Sequence, residues 1–235
     1  MQAQQIHWHV FADNSELRRA ACNAVVNSAN AAIAERGRFV IVLAGGSTPH
    51  GIYQLLRDAS TDWSKWHVYF GDERCLPPEH ADRNSRMAEE SLLQHVSIPR
   101  EHIHAMPAEL GPDQAAEAYR KLLDGVGEFD LVLLGMGEDA HTASLFPGQD
   151  WDSADFAVAI PVRNAPKPPA DRVSLSASRL SDARQVIFLV TGAGKREAVM
   201  LWQSGSEVPV AAIRPITGVE VYMDAAADPA IAESN

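Results

Sequence analysis

The chain has 235 residues and a formal net charge of −11. A chain of that length can bury roughly 70% of the surface its unfolded form exposes, enough for one large α/β domain without a disulfide or metal staple. The acidic balance argues against a nucleic-acid partner, because phosphate-backbone binding depends on clustered Lys and Arg; a small anion held by backbone N–H groups and one or two cations is compatible with it.

Cys22 and Cys75 are the only cysteines, too few for a secreted framework, and both are expected to be reduced thiols. The opening MQAQQIHWHVF lacks a basic segment followed by an apolar one, so no signal peptide is expected. Apolar runs such as Phe39 to Ala44 are too short to cross a bilayer, which leaves no membrane partner and the cytoplasm as the expected compartment. A monomer and a small homo-oligomer fit the composition equally.

Helical and strand-like patterns alternate along the chain, which predicts a mainly parallel sheet with helices on both faces, residues 1–235 forming a single α/β domain. Glu16 to Glu35 is Ala-rich and helix-favouring, with Asp13, Asn14 or Ser15 as cap and Gly37 as stop. Arg38 to Ala44 is a near-continuous apolar strand of the buried parallel kind. Pro49 suits the first turn of the next helix, expected to run to about Asp58. Trp66 to Phe70 reads as a strand, followed by the charged loop GDERCLPPEHADRN. Helices are expected over Asn84 to Leu93 and Asp113 to Leu123, with a short strand at His102 to Ala105 between them.

Phe129 to Leu134 is the clearest central strand and runs into GMGEDAHTASLFPG. Val162 to Arg172 contains Pro166, Pro168 and Pro169 and follows Pro161, which predicts a long surface loop or flap. Further strands are expected at Arg172 to Ser176, Gln185 to Thr191 and Val208 to Ile213, with a helix over Lys195 to Trp202. Val219 to Met223 then closes the sheet.

Four distinctive loops follow strands, where ligands of open α/β sheets bind. In Gly45-Gly46-Ser47-Thr48-Pro49, paired glycines admit an anion close to the backbone, the two hydroxyls are donors, and a helix N-terminus follows; alternatively Thr48 only caps that helix. Asp72-Glu73-Arg74 is either a solvated turn or a site in which Arg74 donates to a carbonyl or carboxylate beside an acidic neighbour. In the loop from Gly135 to Ser144, His141 has a pKa suited to taking a proton from water, and Asp139 could orient it. Lys195, in Thr191-Gly192-Ala193-Gly194-Lys195, could meet a phosphate as a point charge or be an ordinary surface lysine. Arg172 and Arg214 could add positive charge at strand edges. The remaining histidines show no metal-ligand spacing, so no metal site is expected. Gly135-x-Gly137 lacks the third glycine of a dinucleotide site, and no organic cofactor is expected.

Taken together, LAGGSTP, GDERCLPPEHADRN, LVLLGMGEDAHTASLFPG, RVSLS, VIFLVTGAGKREAV and AAIRP resemble the 6-phosphogluconolactonase family over about Ile6 to Ala227. The resemblance implies the fold of the glucosamine-6-phosphate deaminases and hydrolysis of 6-phospho-D-glucono-1,5-lactone to 6-phospho-D-gluconate in the oxidative pentose phosphate pathway. It implies that His141 activates water, that Arg74 lies at the lactone end, that Ser47, Thr48 and Lys195 face the phosphate, and that Arg172 lines the pocket. The chain departs from the family at Ala140, where glycine is usual. A positive φ there would cost alanine about 1 kcal/mol. Two other functions are weighed against this one. Deaminases on this fold carry a glutamate before the proline where this chain has Phe146, and a tyrosine where it has Arg74. A sugar-phosphate sensor would need a helix-turn-helix segment, and none is visible.

Overall fold

Asp13 fixes where the first helix begins: its carboxylate accepts the Glu16 N–H at 2.8 Å, and Gly37, at φ 75°, ends the helix in the left-handed region. The structure, a computed structural model, describes residues 4–151 and 158–232. Its strands are β1 (Ile6–Phe11), β2 (Phe39–Leu43), β3 (Trp66–Phe70), β4 (Asp72–Arg74), β5 (Leu131–Gly135), β6 (Ala159–Val162), β7 (Arg172–Leu175), β8 (Val186–Val190) and β9 (Val219–Asp224). Its helices are α1 (Asn14–Arg36), α2 (Ser47–Leu56), α3 (Asn84–Ser91), α4 (Pro112–Leu122), α5 (Ala177–Ser181), α6 (Arg196–Gln203) and α7 (Pro229–Ala232).

Six strands form one sheet in the order β1-β9-β8-β5-β2-β3, and every pairing in it is parallel. Every residue of β2 and β8 is buried, as a sheet covered on both faces requires. The mainly parallel α/β architecture expected from the alternating pattern is therefore present. A second, antiparallel sheet, β4-β7-β6, carries residues 72–74 and 172–175, and α4 packs against its β6 and β7 strands.

Several local expectations are corrected. Asp72-Glu73-Arg74 is not a solvated loop but a short strand whose first two residues are buried. Arg172 belongs to that second sheet and not to an edge of the main one. Val208 to Ile213 is no strand: Pro209 has no N–H to give a ladder, and residues 209–212 form a tight 3-10 turn. His102 to Ala105 contributes only a bridge between Ile103 and Val68. Val219 to Met223 does not close the sheet, because β1, whose alternating pattern does not mark it as a buried strand, pairs outside it. Cys22 and Cys75 are free thiols, as expected. No helix among the described residues is long and apolar enough to cross a membrane.

Candidate active site

Strands β8, β5, β2 and β3 lie side by side, so the four loops at their carboxyl ends converge. A cavity of about 320 Å³ opens there, lined among others by Gly45, Gly46, Asp72, Arg74, His141, Arg172 and Lys195. Seven of the residues singled out in the sequence thus meet in one place.

The loop after β5 is built around His141. Its Nδ1 is hydrogen-bonded to the Asp139 carboxylate, which also accepts the His141 backbone N–H at 3.3 Å. Asp139 itself does not line the cavity; it lies behind the ring. Gly137 makes the pairing possible, because a Cβ there would fall 2.0 Å from Nδ1 and 2.5 Å from Asp139 Oδ1. The turn is closed by Gly137 N–H donating to His141 O at 2.8 Å. Ala140 sits at φ 61°, the left-handed conformation anticipated from the glycine usual at that position, and is fully buried.

His141 packs against Phe146, ring centroids 4.6 Å apart. Burial pushes the imidazole pKa below its ordinary value, Asp139 opposes that shift, and the nearby Lys167 ammonium adds to it. The ring is therefore neutral near pH 7. With Nδ1–H held by a carboxylate, Nε2 carries the free lone pair. Asp139 is half-buried, which raises its pKa, but the bond and charge of His141 hold it below the usual carboxylate value.

Strand alternation explains the DER tripeptide, because residues 72 and 74 share one face and 73 takes the other. Glu73, with no exposed surface, accepts the N–H groups of Asn84 (2.7 Å), Ser85 (2.8 Å) and Arg74 (2.9 Å) and so caps the start of α3. Asp72 faces the cavity side, where Oδ1 accepts from Asn84 Nδ2 at 3.0 Å and Oδ2 from Ser144 Oγ at 2.6 Å. Arg74 lines the cavity while one Nη donates to Asp82 O, and its buried Nε has no partner.

The loop after β2 brings the start of α2 to the cavity. Gly46, at φ 109°, precedes a helix with no side-chain cap, which leaves first-turn N–H groups available. Ser47 and Thr48 do not themselves line the cavity. Thr48 is buried, its hydroxyl 2.7 Å from that of Thr191, and so ties this loop to the one after β8. That second loop is fixed by Asp224, which accepts the Gly192 N–H at 2.9 Å, and it delivers Lys195. Burial lowers the Lys195 pKa, Glu138 opposes the shift, and Lys167 adds to it.

Arg214 does not line the cavity. Two residues that do, Asn84 and Lys167, were not recognised as site residues in the sequence. Neither lysine ammonium, at 167 or 195, has a hydrogen-bonded or ion-paired partner among the described residues. Two lysines, Arg74 and an uncapped helix start thus share one cavity with a histidine, a constellation suited to an anionic ligand that must lose or gain a proton.

The family model of glucosamine-6-phosphate isomerases/6-phosphogluconolactonase matches residues 12–222. The chain is 37% identical over 214 residues to a 6-phosphogluconolactonase of Mycobacterium leprae, covering 84% of this chain and 85% of that one. Identity to a 6-phosphogluconolactonase of Nostoc is 39% over 199 residues, covering 81% and 82%. A solved structure of 6-phosphogluconolactonase from Trypanosoma brucei aligns with TM-score 0.85 and 31% identity over 99% of both chains. A monomeric glucosamine-6-phosphate deaminase, 19% identical, shares the fold at TM-score 0.81, over 94% of this chain and 98% of the other.

Proposed function

The chain belongs to the glucosamine-6-phosphate isomerase/6-phosphogluconolactonase family, and from that premise we propose that it hydrolyses 6-phospho-D-glucono-1,5-lactone to 6-phospho-D-gluconate in the oxidative pentose phosphate pathway. The observation that carries the proposal is His141, its Nδ1 held by Asp139, beside a cavity that also presents Lys195, Lys167 and Arg74.

Water attacks the lactone carbonyl while Nε2 of His141 takes one of its protons. Negative charge then builds on the carbonyl oxygen, and Arg74, which lines the cavity, is the donor assigned here to stabilise it. As the tetrahedral intermediate collapses, the C1–ring-oxygen bond breaks and the imidazolium returns its proton to the leaving oxygen. Asp139 stabilises the transient imidazolium and holds the ring in one tautomer. Lys195, Lys167 and the N-terminus of α2 hold the phosphate, which contributes through orientation. No organic cofactor or metal takes part in this scheme.

A deaminase reading has less support, because the position before Pro147 is Phe146, fully buried against His141. The test is direct. Opening of the 6-phosphorylated lactone, corrected for spontaneous hydrolysis, should exceed that of unphosphorylated gluconolactone at least 10²-fold in kcat/KM, about 2.7 kcal/mol. Equal rates would remove the phosphate site, and ammonia released from glucosamine 6-phosphate in place of lactone opening would favour the deaminase.

A further inference from the structure

Residues 163–171 form a strap beside the cavity that cannot hold itself. Pro166, Pro168 and Pro169 have no N–H to donate, so the carbonyls of the strap need donors from elsewhere. Its own closure is one bond, from Ala165 N–H to Ala170 O at 2.9 Å. The carbonyls at the tip are taken up by one side chain. Arg172 Nε donates to Pro169 O at 3.1 Å, and Nη2 donates to Lys167 O at 3.1 Å and Pro168 O at 3.3 Å.

The guanidinium is in turn held from the other side. It lies 5.5 Å over the Phe146 ring, and its Nη1 is 3.9 Å from Asp72 Oδ2. Asp72 is fixed by Asn84 and by Ser144, and Asn84 fits only because Gly45 has no Cβ, which would meet Asn84 Oδ1 at 2.0 Å. Arg172 is 5% exposed, and its planar fork of donors matches several carbonyls at once as a lysine cannot.

We infer that Arg172 is a positioning residue: braced by Asp72 and Phe146, it pins the 163–171 strap by three successive carbonyls and thereby fixes Lys167 at the cavity. The family resemblance implies that Arg172 lines the pocket; the positioning role goes beyond that. It rests on the proposed phosphate role of Lys167. Lys167 lies near enough for its charge to act on both Lys195 and His141, so a mislaid strap removes a cation from the phosphate end and leaves the His141–Asp139 pair intact.

Two measurements test this in the full chain. The first is amide hydrogen exchange at Ala165, whose N–H closes the strap, in the wild type and in Arg172→Met, which keeps the apolar stem over Phe146. That amide should exchange faster in the variant while the β2 and β5 amides do not. The second is a cycle of Arg172→Met, Lys167→Ala and the double variant, assayed by kcat/KM on the phosphorylated lactone. Each single change should cost roughly tenfold, chiefly in KM, the size of one charge-assisted contact. The double variant should be no more than about threefold worse than the poorer single one, since both act through one ammonium. Unchanged exchange in Arg172→Met overturns the inference, as do losses that multiply to roughly a hundredfold. If Arg172→Met does not fold, Arg172→Lys, with fewer donors, is measured the same way and should show the same acceleration. A wild type that opens no lactone would defeat the proposed reaction, and the exchange comparison alone would then decide the strap.

Discussion

Gly137→Ala isolates the His141–Asp139 pair without touching either residue. A Cβ at 137 would stand 2.0 Å from His141 Nδ1, 2.1 Å from Cε1 and 2.5 Å from Asp139 Oδ1, separations that no real Cβ tolerates. Gly137 is not among the residues at positive φ, so the backbone accepts alanine and the clash falls on the side chains. The imidazole must swing away, which breaks a hydrogen bond to a charged group worth about 1.5–3 kcal/mol and removes the base from its station. Displacing a general base costs typically 10² to 10⁴-fold. Lactone opening, followed with the spontaneous rate subtracted, should show kcat lower by at least about 10²-fold and KM changed little, because the lysines are untouched. The broken bond and the overpacking together should cost roughly 2–4 kcal/mol, a fall of about 4–16 °C in Tm. Gly194→Ala is the control: its Cβ meets only the flexible end of Glu138 at 3.4 Å, and both kcat and Tm should stay at wild-type values. A folded Gly137→Ala enzyme with kcat within about threefold of wild type would refute the pairing as a catalytic requirement.

Three further outcomes follow from the same geometry. Asp139 holds the His141 pKa up and Lys167 holds it down, so the acid limb of kcat/KM should move to lower pH in Asp139→Asn and to higher pH in Lys167→Ala; shifts in the same direction would contradict this electrostatic picture. Ala140→Gly relieves a φ of 61° but gives up a buried methyl, about 0.8 kcal/mol, and adds unfolded-state entropy. The terms nearly cancel, so Tm should stay within about 4 °C, and a larger rise would mean that strain dominates. His67, stacked on His102 at 3.9 Å between ring centroids, has its pKa lowered to about 4, by burial first and then by its histidine neighbours. The folded state thus binds fewer protons than the unfolded state, and stability is complete above about pH 6.5 and lost as pH falls toward 4. Solvent screening limits the loss to about 1 kcal/mol. His67→Phe should flatten the fall of Tm across that window, and an unchanged slope would exclude the stack as its cause.

Much of the fold was legible in the sequence because its central strands are continuous apolar runs with glycine-rich loops after them. The strand from Phe39 and the one near Leu131 identify themselves, and their position before loops at 45–49 and 135–144 locates the site. β1 escaped because its residues alternate, with His7 and His9 turned outward to Glu220, and an edge strand with polar residues lacks the signal of a buried one. For Asp72 and Glu73 the sequence leaves a solvated turn and a site equally open, because charge usually means solvent. They are buried because Asn84, Ser85 and Ser144 satisfy their oxygens, contacts made across long stretches of chain. Asn84 could be recognised only as a helix start, and Lys167 only as a cation in a proline-rich flap. Nothing local marks either as a cavity residue, since only the folded strap and helix bring them there. Ser47 and Thr48 show the reverse: their hydroxyls suggest ligand contacts, whereas the cavity is lined by the glycines beside them.

The measurement that bears most directly on the proposed chemistry is kcat for 6-phosphogluconolactone opening by His141→Asn, compared with wild type and corrected for spontaneous hydrolysis. Asparagine fills the space and can still bond to Asp139, but it cannot take a proton from water. A fall in kcat of about 10² to 10⁴-fold is expected, with KM little changed and the acid limb of the pH profile abolished. Near-wild-type kcat with the acid limb intact would contradict His141 as the base. Glu73 would be no substitute, because it is sealed in the core with its oxygens bonded to backbone N–H groups.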